Sequence, residues 1–88
     1  MTQVRAGVDR LDREIVALLA ERFRYMEAAA RIKPDRNDVR DEARKAEVLA
    51  NVRRSAASEP IPVERIVSLY EQLVETSIAY ELERFDAS

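Results

Sequence analysis

Apolar residues recur along the first third of the chain at Val4, Val8, Leu11, Ile15 and Leu18, then at Tyr25, Ala29 and Ile32. The steps alternate between four and three residues, which places all of these positions on one side of a helix. Leu19, Phe23, Met26 and Ala30 widen that stripe. The pattern predicts a first helix over Thr2 to about Lys33, ended by Pro34 because the residue before a proline avoids the helical region. Asp35 to Asp38 reads as a polar connection, with Asn37 or Asp38 able to cap a second helix that carries Val48, Leu49 and Val52 and runs to about Ala56. Asp41 and Glu42 would sit favourably in its first turn. After a loop from Ser55 to Pro62, the third helix should run to about Phe85. It carries two apolar stripes, one through Ile66, Tyr70 and Leu73, the other through Val67, Val74, Ile78 and Leu82. Burial on two sides exceeds the needs of a lone small bundle and predicts self-association.

Composition narrows the class. Eighty-eight residues make one domain, residues 1–88, with a core small enough to call for a disulfide, a metal or a second subunit. There is no cysteine, which excludes disulfides, and no histidine, which argues against zinc and against histidine-activated nucleophiles. A formal net charge of −2 argues against a nucleic-acid partner. No apolar run approaches a membrane span and no signal peptide is visible, so the expectation is a soluble, cytoplasmic protein. One glycine and three prolines favour a few long helices.

The chemistry shows where polar residues interrupt the stripes. The alternation of the first helix calls for an apolar residue at position 22, and Arg22 is there. Lys33 lies three turns on, ~16 Å along the axis and on nearly the same face, so the two long cations can converge on a small anion. The alternative is that Arg22 pairs with an internal acid and Lys33 is a solvated helix end. Ser77 and Glu81 continue the face begun by Tyr70 and Leu73, and Glu81 is there either as a salt-bridge partner or as a tuned acid. Arg40 and Arg44 form an i,i+4 pair at the start of the second helix. Arg5 lies ~25 Å from Arg22 and reaches the same ligand only from a second, antiparallel chain.

The run Val4-Arg5-Ala6-Gly7-Val8-Asp9-Arg10-Leu11-Asp12-Arg13-Glu14-Ile15, with Leu18 to Arg22 and then Lys33, resembles the opening helix of the all-helical chorismate mutases. The likeness continues through Val39 to Arg44 and from Ser77 to Glu81, covering nearly the whole chain. It implies an all-α fold: three-helix chains in an intertwined antiparallel homodimer built on the long first helix. It implies an isomerase that converts chorismate to prephenate without a cofactor or metal. Arg5 is similar to the family arginine that crosses into the partner's site, and Arg22 to the one that grips a substrate carboxylate. Lys33 is similar to the lysine at a carboxylate and the ether oxygen. Arg44 resembles a positioning arginine, Asp41 a group near the ring hydroxyl, and Ser77 a hydroxyl on the carboxylate side. Glu81 stands where members carry glutamine or glutamate, beside the same ether oxygen. Lys45 replaces a family glutamate that accepts the ring hydroxyl. The segment Arg24 to Lys33 also resembles isochorismate-pyruvate lyase, a sister enzyme that lacks that glutamate. That lyase activity, and a non-catalytic regulatory helical dimer, are the alternative readings.

Overall fold

The computed structural model describes residues 1–87. They form three α-helices: α1 (Thr2–Ile32), α2 (Glu42–Ala57) and α3 (Val63–Ala87), with one turn of 3-10 helix at Arg36–Asp38. No strand occurs among the described residues, so the chain is all-α. Lys33 closes α1, its N–H donating to the Ala29 carbonyl at 3.0 Å and its backbone already extended ahead of Pro34.

The second helix starts later than the sequence pattern suggests. Asp35, not Asn37 or Asp38, does the first capping, accepting from Asn37 N–H at 2.8 Å to hold the 3-10 turn. Asp41 caps α2, accepting from Arg44 N–H at 3.0 Å. The physical reason is Val39, the one apolar residue of the connection. It is buried, and drawing it inward uses up the residues that would have begun the helix. Arg40 therefore precedes the helix, and the expected i,i+4 pair with Arg44 does not form. Pro62 precedes α3, its carbonyl accepting from Ile66 N–H at 3.0 Å.

Helix α3 lies between the other two and packs on both, whereas the backbones of α1 and α2 stay apart. Contacts from α1 and the turn after it advance in step with α3: Arg22 meets Ser77, Lys33 meets Glu81, and Arg36 meets Asp86. These helices are parallel. Helix α2 is antiparallel to α3, because Lys45 meets Glu75 while Arg53 meets Glu64. The residues of both α3 stripes are buried or half-buried inside one chain, so they do not by themselves call for a second subunit.

The call for a second subunit comes from α1. Its 31 residues span ~46 Å, nearly the whole 49 Å length of the molecule. Only its second half packs on α3, through Leu19, Phe23, Met26 and the buried Ala30. The expected buried stripe faces outward instead: Val4 is 61% exposed, Leu18 64% and Ile32 79%, with Val8, Leu11, Ile15 and Tyr25 also uncovered. The narrower set at Leu19, Phe23, Met26 and Ala30 is the face that meets α3. Covering the outward side chains would stabilise by about 1 kcal/mol each, taking half the value for full burial. Gly7 sits on this stripe, and nothing in the chain lies within 4 Å of where its Cβ would be.

Ion pairs tie α2 to α3. Glu75 accepts from Arg40 at 2.7 Å and from Lys45 at 2.9 Å. Hydrogen bonds from Arg40 and then Lys45 lower its carboxyl pKa from 4.5 to about 2. A carboxyl with a lowered folded-state pKa contributes stability that is complete above the unfolded value and lost as pH falls through the folded one. Glu75→Gln should therefore lower the Tm at neutral pH. The difference from the parent should shrink as pH is taken from about 4.5 toward about 2, measured by circular dichroism melts. A pH-independent difference would show that the Glu75 charge is not what matters.

Candidate active site

Six of the seven residues singled out in the sequence line one cavity of about 360 Å³: Arg22, Lys33, Asp41, Arg44, Ser77 and Glu81. Helix α1 supplies Arg22, Met26, Ala29 and Lys33 at steps of four, three and four, the spacing of a single helix face. Helix α2 and its cap supply Asp41, Arg44, Lys45 and Val48. The floor is α3, through Val74, Ser77, Ile78 and Glu81. The seventh residue, Arg5, is exposed on the projecting half of α1 and does not line the cavity. A more open groove of about 600 Å³ adjoins the cavity and shares Arg22, Arg44 and Val48 with it. The groove is the larger, but the ionisable groups gather in the cavity, which is the candidate site.

Ser77 and Glu81, 3% and 4% exposed, are the buried polar residues, and neither is left unsatisfied. Lys33 Nζ donates to Glu81 Oε2 at 2.6 Å. Of the two readings of Glu81, the salt bridge is the one the structure contains. Ser77 Oγ donates to the Leu73 carbonyl at 2.7 Å and accepts from Arg22 Nη1 at 2.5 Å. Arg22 forms no ion pair among the described residues, and its guanidinium carbon lies 5.6 Å from the centre of the Tyr70 ring. The sequence alternative of an internal acid partner for Arg22 is therefore not what the chain uses. Arg44 is largely exposed and pairs with Glu47 one turn on.

Lys45, 17% exposed at its side chain, stands at the cavity wall and pairs with Glu75 at 2.9 Å and Glu71 at 3.6 Å. The hydrogen bond to Glu75, ahead of the penalty of desolvation, holds its pKa above the ordinary lysine value. Four cations and two carboxylates line the cavity, an excess of positive charge that suits a dianion. The apolar wall of Met26, Ala29, Val39, Val48, Val74 and Ile78 is visible in the sequence only as generic core. Tyr70, below Arg22, shares the Ser77 face, but its ring contact with the arginine was not foreseen.

An all-helical chain with a cation-rich, apolar-walled cavity and no activated nucleophile suits an enzyme that binds and rearranges a small polyanion. The family model for chorismate mutase type II matches residues 4–82, and the chain belongs to that family. It is an isomerase that converts chorismate to prephenate. Comparison with curated proteins and with solved structures gives no match. No helix among the described residues is long and apolar enough to cross a membrane.

The setting of Lys45 fixes what a glutamate there would meet. Lys45→Glu places a third carboxylate beside Glu71 and Glu75 and should lower the Tm. Adding Glu75→Gln should recover part of the loss in thermal melts. Absence of any recovery would show that Glu75 is not the repelling group.

Proposed function

We propose that the protein rearranges chorismate as a cytoplasmic homodimer, each of two sites being one chain's cavity completed by the partner's Arg5. The gathering of Arg22, Lys33, Asp41, Arg44, Ser77 and Glu81 around one cavity carries the reading. Three further observations support the second chain: the outward stripe of α1, the lack of an in-chain reason for Gly7, and the position of Arg5 on an arm beyond the helix pack.

The reaction is an intramolecular pericyclic shift, so the protein's tasks are conformational and electrostatic. The substrate must be held with its side chain over the ring, and the charge growing on the ether oxygen must be stabilised. Arg22 and the partner's Arg5 grip carboxylates, a task that suits the planar guanidinium fork. Arg44 closes the mouth, and Asp41 lies at the ring hydroxyl through the oxygen not used in capping α2. Ser77 orients Arg22 and faces a substrate carboxylate. Lys33 serves a carboxylate and the ether oxygen.

Glu81 holds Lys33 through their ion pair at 2.6 Å and stands beside the ether oxygen that the lysine serves.

Arg5→Ala and Lys33→Ala should each lose about 100-fold or more in kcat/KM. Refolded together, half the dimers become heterodimers with one intact site, restoring about a quarter of parent activity. Confirmed heterodimers without activity would show that Arg5 does not cross.

Glu81→Gln keeps the shape of the side chain and a hydrogen-bond donor, and it should retain turnover of chorismate in steady-state assays. Loss of activity in the folded variant would show that the ion pair with Lys33 is what the site needs from Glu81.

A further inference from the structure

The cavity cations are held in two different ways. Lys33 rests on Glu81, Arg44 on Glu47 and Lys45 on Glu75, each beside a carboxylate. Arg22 rests on neutral groups: the Ser77 hydroxyl, and the Tyr70 ring 5.6 Å from its guanidinium carbon. Yet Arg22 is half-buried, where an unsupported charge is costly.

We propose that Tyr70 is a positioning residue for Arg22, its ring carrying the guanidinium so that the full charge stays available to a substrate carboxylate. An acid in its place would hold the arginine equally well, but would share its charge and repel an incoming dianion. The electron-rich face of an aromatic ring attracts the cation without bringing a net charge. A guanidinium has five N–H donors, and among the described residues only one is used, on Ser77, so four remain for the ligand.

The two supports come from one face of α3, with Tyr70 two turns before Ser77. Ser77 is fixed in turn by its own bond to the Leu73 carbonyl at 2.7 Å. Tyr70 also borders the adjoining groove with Arg22 and Arg44 but does not line the cavity itself, so it acts on substrate through Arg22. The inference rests on the proposed role of Arg22.

The test is steady-state kinetics on chorismate with three Tyr70 variants, each checked by thermal melt. Tyr70→Phe keeps the ring and should stay within about twofold of the parent in kcat/KM. Tyr70→Leu keeps apolar bulk without the ring face and should lose about tenfold, chiefly through a higher KM. Tyr70→Met is unbranched, should behave like the leucine variant, and serves if leucine does not fold. In an Arg22→Ala background, the step from tyrosine to leucine should change kcat/KM by less than about twofold, because its object is gone. Equal kinetics for the phenylalanine and leucine (or methionine) variants would overturn the proposal, as would an undiminished leucine effect in the Arg22→Ala background. Should Arg22→Ala itself leave activity intact, the proposed role of Arg22 fails first, and the Tyr70 inference falls with it.

Discussion

The site depends on a single packing arrangement: α3 lies between two helices whose backbones stay apart from each other. Because the backbones of α1 and α2 approach only α3, a space between them over its surface is left open. That space is the cavity. Val67 and Val74 fix the depth at which α3 sits, and Ala30 and Ala56 are small enough to let the flanking helices approach. Ser77 and Glu81 then face a gap that the fold leaves open, with their hydrogen-bonding capacity already met by neighbours from α1 and from α3 itself.

Polar contacts line the cavity. Lys33 and Glu81 neutralise each other at 2.6 Å, so neither charge is buried unpaired. In the proposed mode of binding, a substrate carboxylate at Lys33 exchanges one anionic partner for another. Much of the cost of desolvating the lysine has been met in folding, and affinity reflects the difference between two partners.

The helices were legible in the sequence because a 3.6-residue apolar period over fifteen or more residues has few other solutions. Ser77 and Glu81 were legible as a polar continuation of the Tyr70 and Leu73 face, and Arg22 as a charge where the stripe demanded an apolar residue. The direction of the α1 stripe was not legible, because periodicity tells which residues share a face and not what that face meets. Here most of the stripe faces outward, Arg22 and Ala29 within it border the cavity, and a narrower set meets α3. The cap of α2 was missed because Asn37, Asp38 and Asp41 are all competent caps, and a single buried side chain, Val39, decided among them. The contact between Arg22 and Tyr70 depends on how two helices are rotated against each other, which no single-helix pattern contains.

The neutral support of Arg22 has a consequence for how this chain tolerates change. Position 22 lies in an apolar stripe, half-buried, with no counter-charge among the described residues. A leucine or methionine there would satisfy the helix period and shed the cost of desolvating a cation. Selection for folding alone would therefore drive the arginine out, and its presence marks a residue retained against that pressure. With the role proposed for Arg22, stability and turnover pull in opposite directions at this one side chain. Variants chosen for heat resistance without an activity screen should drift toward an apolar residue at 22, giving a sturdier helical scaffold without the cation proposed to grip a carboxylate.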